Sequence, residues 1–296
     1  MSGAAQRESW VRAMPVVFVL IWSTGFIVAR YAMPYSPPMT FLWVRYLLSI
    51  LAFWLWIRWA RVAWPQSRAQ WWHLGVTGVF MHAGYLSGVW VAVKAGMGSG
   101  LSALIVGLQP VLTAIWLSSQ GGQVSRRQWG GLLLGFMGLV LVVSRKLQDT
   151  MEVTPWTLSL AVLALFSITI GTLYQKRHVE PCDVRTANTV QLMAAALVTL
   201  PLVALESEAV QWHPSLFGAM AWSVLGMTLG GSSLFYMLIQ RGATASVSSL
   251  MYLVPPCTAM LAWFLFDEPV TVTTLAGIVL TALGVSLVVR TPAPQR

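Results

Sequence analysis

The chain has 296 residues, of which 57% are hydrophobic and 9% charged, with a net charge of +9. Soluble domains carry roughly 25% charged residues, so this composition excludes a water-soluble fold and requires lipid as the solvent. Its Lys and Arg residues are scattered between apolar segments and form no patch or stripe, which excludes a nucleic-acid surface.

In chain order, residues 1–13 are polar and the next twenty apolar, an opening that imitates a signal peptide. No small-residue cleavage site precedes Pro34 and further apolar segments follow, so the first segment reads as a retained span behind a short cytoplasmic tail. Segments of about twenty residues, the length that crosses a ~30 Å hydrocarbon core, predict ten transmembrane helices in an all-α membrane protein. They cover 14–33, 41–59, 72–95, 97–119, 128–147, 155–176, 184–204, 216–240, 243–266 and 271–289, with a tail at 291–296. Turn chemistry separates them at Pro34, Pro37-Pro38, Pro65, Gly121-Gly122, Pro181 and Pro269. The runs are continuous and do not alternate, which argues against a barrel.

The positive charges orient the spans. With both termini cytoplasmic, the inner side holds Arg7, Arg12, Arg58, Arg61, Arg68, Arg126, Arg127, Lys176, Arg177, Arg185, Arg241, Arg290 and Arg296. The outer side holds Arg30, Lys94, Arg145 and Lys146.

A shift of 146 residues superposes the chain on itself. It pairs Gly25 with Gly171, Gly84 with Gly230, Ser87 with Ser233, Gly96 with Gly242, Ser102 with Ser248, Leu104 with Leu250 and Pro110 with Pro256. Beyond these it pairs Gly131 with Gly277 and Gly138 with Gly284. One constant register signals a duplicated unit, here 14–147 and 155–290. Five spans per copy is an odd number, so the second copy enters the membrane from the opposite side. Inverted repeats of this kind are the recurring plan of secondary transporters, which bind substrate near the midplane between the halves.

The pattern resembles the EamA-type transporters of the drug/metabolite transporter superfamily. The resemblance covers about 14–290 and rests on Leu104-Ile-Val-Gly-Leu-Gln-Pro110, Leu250-Met-Tyr-Leu-Val-Pro-Pro256, Asp267-Glu268-Pro269 and the paired glycines of the fifth and tenth helices. The chain departs from it after the fourth helix, where Gly121-Gly122-Gln123 stands in place of an acid. The resemblance implies a cavity between the first, third, fourth, sixth, eighth and ninth helices, and so adds Trp22, Ser23, Tyr174 and Tyr252 as candidates.

From the residues themselves, Pro110 and Pro255-Pro256 withdraw donors from two apolar helices and are expected to kink them. The carbonyls they free must face protein or a wet cavity, and Gln109 lies beside the first kink. His82, Tyr85, Ser87 and Trp90 in the third helix, with Ser232, Ser233, Phe235 and Tyr236 in the eighth, make an aromatic wall with a few hydroxyls. Such a wall suits a partly apolar organic substrate, zwitterionic or cationic.

Arg45 is the one fixed charge inside a span. It can hold a carboxylate or phosphate, or snorkel to the outer headgroups, and its shallow depth favours the structural role. No Asp or Glu lies within a span, which leaves either uncoupled substrate movement or proton coupling through His82. The glycine faces read as intrachain packing, with a homodimer contact as the alternative. Cysteine and histidine spacings suggest neither a metal site nor a cofactor, and no nucleophile stands beside a histidine in the spans, so an enzyme is disfavoured. The expectation is a carrier in a bacterial inner membrane that exports an amino acid or related metabolite by alternating access. Its partners would be that substrate and the membrane lipids, and a flippase for lipid-linked headgroups is the alternative.

Overall fold

Prolines and capping side chains decide where the helices begin. The structure is a computed structural model and describes residues 2–119, 126–149, 153–240, 254–268 and 270–289. Helix α1 (Ser2–Ala32) leads to α2 (Pro38–Ala60), which has a proline in its first turn, where a missing N–H costs nothing. The Ser67 hydroxyl caps α3 (Arg68–Lys94), and Thr154 and Thr157 form a reciprocal capping box on α7 (Pro155–His178). Asp183 caps α8 (Val184–Ala204), and His213 caps α9 (Pro214–Gln240), again with a proline in the first turn. The remaining helices are α4 (Ser99–Val106), α5 (Gln109–Ser119), α6 (Arg126–Asp149), α10 (Val254–Phe266) and α11 (Val272–Val289). Among the described residues there is no strand.

Six helices are long and apolar enough to cross a membrane: Ala13–Ala32 within α1, then α2, α3, α7, α8 and α9. Shorter apolar helical stretches occupy the fourth, fifth, ninth and tenth expected positions. Large apolar side chains such as Leu20, Trp59, Leu197, Leu225 and Phe264 lie exposed on the outer surface, where only lipid would cover them.

Two expectations change. The fourth span is not one helix: α4 ends at Val106, and Pro110 sits in the first turn of α5 instead of kinking a continuous rod. Gly107 and Leu108 form the break, with the Leu108 N–H donating to the Ile105 carbonyl at 3.1 Å. The tail expected at 1–13 is helical from Ser2 and continues α1. Pro255 and Pro256 begin the described part of α10. Whether they kink the ninth span lies outside the described residues, as do Gly121-Gly122-Gln123, Tyr252, Pro269 and the tail 291–296.

Matched helices of the two halves pack against each other and run antiparallel. Between α6 and α11, Gly138 meets the backbone of Gly277 and Thr281, while Gly284 meets Gly131 and Gly135. A Cβ on Gly284 would lie 2.4 Å from the Gly135 nitrogen, so the small residues allow this backbone approach. That packing uses the glycine faces within the chain. Between α2 and α8, the Trp43 indole donates to the Ala196 carbonyl at 3.2 Å, and the Arg185 guanidinium lies over Trp56 at 5.3 Å. Between α4 and α10, Gly100 lies beside Ala259.

Contacts come in pairs related by the 146-residue shift. Gly25 makes room for Met227, and Gly171 for Met81. Lys94 Nζ donates to the Met33 carbonyl at 2.9 Å, and Gln240 Nε2 to the Val179 carbonyl at 3.5 Å. Such reciprocity is the mark of a two-fold relation, here with its axis running across the helices.

Candidate functional site

Both halves carry a wide, π-helical stretch in the middle of their third helix, Val79–Gly84 in α3 and Ser223–Ser232 in α9. Wide turns re-aim side chains and free a backbone carbonyl. The Tyr46 hydroxyl donates to the His82 carbonyl at 2.8 Å, and Thr228 Oγ1 donates to the Ser223 carbonyl at 2.9 Å. Both stretches face a cavity at the seam between the halves.

That cavity is lined from α1, α2 and α3 by Trp22, Gly25, Arg45, His82, Tyr85 and Trp90, among others. From α7, α8 and α9 it is lined by Gln175, Asn188, Gln191, Ser223, Ser232, Phe235 and Tyr236. Trp22 stacks on Phe235 at 5.0 Å and on Tyr85 at 6.1 Å between ring centres, and Phe41 backs Trp90 at 4.6 Å. The cavity volume is about 30 Å³, enough for one or two waters and far below the ~300 Å³ of a small ligand pocket. The side chains of the two halves therefore pack closely around this site.

Arg45 is the charged member of that lining. It is 3% exposed, so the expected snorkel to the headgroups is corrected: its side chain turns into the seam. Nε donates to Thr228 Oγ1 at 3.1 Å, and among the described residues no carboxylate pairs with it. The 146-residue shift carries Arg45 to Gln191 and Thr228 back to His82, and Gln191 and His82 line the same cavity as Arg45.

Of the residues singled out from the sequence, Trp22, His82, Tyr85, Trp90, Ser232 and Tyr236 line the cavity together. Ser23 does not: its hydroxyl donates back to the Val19 carbonyl at 2.7 Å, and its own carbonyl accepts from Thr258 at 3.1 Å. Gln109 is buried against α7, donating to Thr172 Oγ1 at 3.0 Å. Tyr174 sits near the end of α7, with its hydroxyl 2.8 Å from His73 Nδ1 and its ring stacked on His178. Gln175, Asn188 and Gln191 also line the cavity, and of these only Gln191 carries a signal in the sequence, as the register mate of Arg45.

Polar contacts join the two halves at both ends of the helices. At one end, Glu268 accepts from the Arg30 guanidinium and from Ser99 N and Oγ at 3.2 and 3.0 Å, tying α1, α4 and α10 together. Nearby, Glu206 accepts from Met39 N and Thr40 N, each at 2.8 Å, and Lys94 pairs with Glu208 at 2.6 Å. At the other end, the Gln70 amide bonds both the carbonyl and the N–H of Glu180, at 2.7 and 3.1 Å. The Tyr236 hydroxyl there lies 3.2 Å from the Cys182 sulfur.

Residues 11–144 and 155–290 each match the EamA-like transporter family. An uncharacterized transporter of Archaeoglobus fulgidus is 24% identical over 91% of this chain and 93% of its own length. The uncharacterized transporter YvbV of Bacillus subtilis is 25% identical over 91% and 88%, respectively. The uncharacterized inner membrane transporter YedA of Escherichia coli is 25% identical over 90% and 84%. A solved crystal structure of a protein with 17% identity superposes with a TM-score of 0.70, covering 93% of this chain and 95% of that one, which shows a shared fold.

Proposed function

The chain belongs to the EamA-like transporter family, and from that premise we propose that it is a secondary transporter moving a small organic metabolite by alternating access. That it is an integral membrane transporter and not an enzyme follows from the family and from relatives named as transporters. The finer reading is ten crossings arranged as two inverted five-helix repeats, 14–147 and 155–290, in a bacterial inner membrane with both termini cytoplasmic. Antiparallel packing of matched helices supports the inversion, and the bias of Lys and Arg supports the orientation.

One observation carries the transport mechanism: a small cavity at the seam, lined from both halves, with polar contacts joining the halves at both ends of the helices. Rocking the halves about that seam would break one set of ties at a time and open the cavity to each side in turn. A substrate that carries a carboxylate, whether an amino acid or a related metabolite, would lay its apolar part against Trp22, Tyr85 and Phe235. A purely cationic substrate loses support because Arg45 faces the same space. Coupling through His82 loses support for the same reason, since a protonated ring would set a second positive charge beside Arg45 in a small buried volume. Export is the favoured direction.

Purified protein in liposomes preloaded with unlabelled amino acids should show saturable counterflow of a labelled one. Equal flux in protein-free liposomes across a panel of amino acids, amines and carboxylates would remove the carrier reading.

A further inference from the structure

We propose that the seam cavity is a site for an organic monocarboxylate, in which Arg45 receives the carboxylate, and that the membrane potential alone can drive its efflux. This rests on the transporter reading above and names the substrate class of the same site.

Arg45 is a buried charge with no carboxylate partner among the described residues. Arg45 is 3% exposed, and its guanidinium donates one bond among the described residues, to Thr228. A buried cation normally pairs with an acid. The chain's nine acids include none within the spans on either side of this cavity. Its charge is therefore left to be neutralised by what enters the cavity.

The neighbouring donors agree. Gln175 Nε2 and the Ser223 hydroxyl line the same cavity, are buried and have no hydrogen-bond partner among the described residues. An arginine fork, an amide N–H and a hydroxyl lining one cavity are a set of donors suited to a carboxylate.

Charge counting then ranks the substrates. A monoanion makes the loaded cavity neutral. A zwitterion leaves it with a net positive charge and an ammonium for which no acid is provided, and an amine adds a second positive charge. A doubly charged phosphate monoester leaves one negative charge uncompensated. The rest of the lining, Trp22, Tyr85, Trp90 and Phe235, calls for an apolar, preferably aromatic, body.

The same count supplies a driving force. Because no acid lies in the spans, the step needs no proton carrier, and an inside-negative potential expels a monoanion unaided. At 100 mV that potential supports an outward gradient of about fifty-fold.

Three probes sharing one aromatic body separate the alternatives: 3-phenylpropionate, phenylalanine and 2-phenylethylamine. Binding to the detergent-solubilised protein is read by calorimetry. Flux is read in liposomes with a potassium-diffusion potential set by valinomycin. The carboxylate should bind best, and its efflux should accelerate when the interior is made negative and slow when it is made positive. Arg45→Gln should weaken carboxylate binding at least a hundredfold, whereas Arg45→Lys, which keeps the charge and guards against a folding defect, should weaken it about tenfold. Tighter binding of phenylalanine or the amine, carboxylate affinity unchanged in Arg45→Gln, no carboxylate binding at millimolar concentration, or flux indifferent to the potential would each overturn the proposal. Saturable flux of phenylalanine alone would overturn it while leaving the transporter reading in place. Arg45-dependent binding without any flux would overturn the efflux and the transporter reading together and leave only the carboxylate site.

Discussion

The two halves of this molecule share a steric skeleton and differ in chemistry. Where close approach is needed the halves agree: Gly25 and Gly171 admit Met227 and Met81, and Gly138 and Gly284 let α6 and α11 touch. Where the cavity is lined they disagree. Arg45 has Gln191 as its register mate and Trp90 has Tyr236, all four lining the cavity, while the mate of His82 is Thr228, which bonds Arg45. Packing of a duplicated unit constrains both copies alike, because each glycine serves the same crossing twice. A substrate has no two-fold symmetry, so the lining has no reason to keep it. Shared positions therefore report the scaffold, and divergent ones report the ligand.

Breaking a close crossing between the halves should have the largest effect. A Cβ on Gly78 would lie 2.1 Å from the Gln191 carbonyl oxygen, a clash of backbone with side chain that no rotamer relieves. Gly78→Leu should cost about 3 kcal/mol or more, with loss of folded yield on size-exclusion chromatography. Gly218→Leu, in the same kind of helix but with open space around the added carbon, should leave yield unchanged. Equal yields would mean that the crossing is not tight.

The divergent part is sharpened by moving its charge. In the double variant Arg45→Gln with Gln191→Arg, the guanidinium passes to the mated position on the other wall of the same cavity. Carboxylate binding should recover at least tenfold over Arg45→Gln alone in the same calorimetric measurement. No recovery would show that the position of the charge matters beyond the cavity it faces.

A smaller effect is expected where one half carries a tie that the other lacks. Glu268 joins α1, α4 and α10, whereas its register mate is Gly122. The Arg30 partner is 36% exposed, so the ion pair is worth only about 1 kcal/mol. Glu268→Gln should raise the rate at which a cysteine placed at the buried Ser102 reacts with a maleimide by several-fold, with little change in unfolding temperature. An unchanged rate would remove Glu268 from the closure.

How much of this was legible in the sequence depended on the kind of signal. The 146-residue register is a pattern of identities, so the duplication, the glycine crossings and most helix limits could be read directly. Orientation about a helix axis could not. Nearly every face of α2 is apolar, so periodicity did not say whether Arg45 points to lipid or to the seam; only tertiary packing against Thr228 decides that. The break at Gly107-Leu108 was hidden for a related reason. Pro110 reads equally as a kink or as the first turn of a new helix, and the close contact of Gly107 with Pro255 lies 148 positions away in sequence. Gln109 and Ser23 were polar, central and plausible, yet their bonds to Thr172 and Val19 are spent on packing.

The smallest effect concerns a helix cap. Asp183 accepts from the Arg185 guanidinium and its N–H, and those bonds, the side-chain one foremost, hold its carboxyl below the ordinary 3.8. A depressed carboxylate stabilises the fold above its unfolded pKa and loses that contribution as pH falls through the folded one. Asp183→Asn keeps the cap but not the ion pair, and should cost about 0.5 kcal/mol at neutral pH. In thermal unfolding across pH, that difference should vanish in acid, and a difference that persisted there would point to the cap alone.

The central claim, two copies of one module laid in opposite directions across the membrane, is tested most directly by topology. Cysteines placed singly at Arg126 and at Asp267, in a background with Cys182 and Cys257 replaced by serine, are challenged in intact cells with a membrane-impermeant maleimide. The account predicts labelling at position 267 and protection at 126 until the cells are opened; labelling of both from the same side would contradict it.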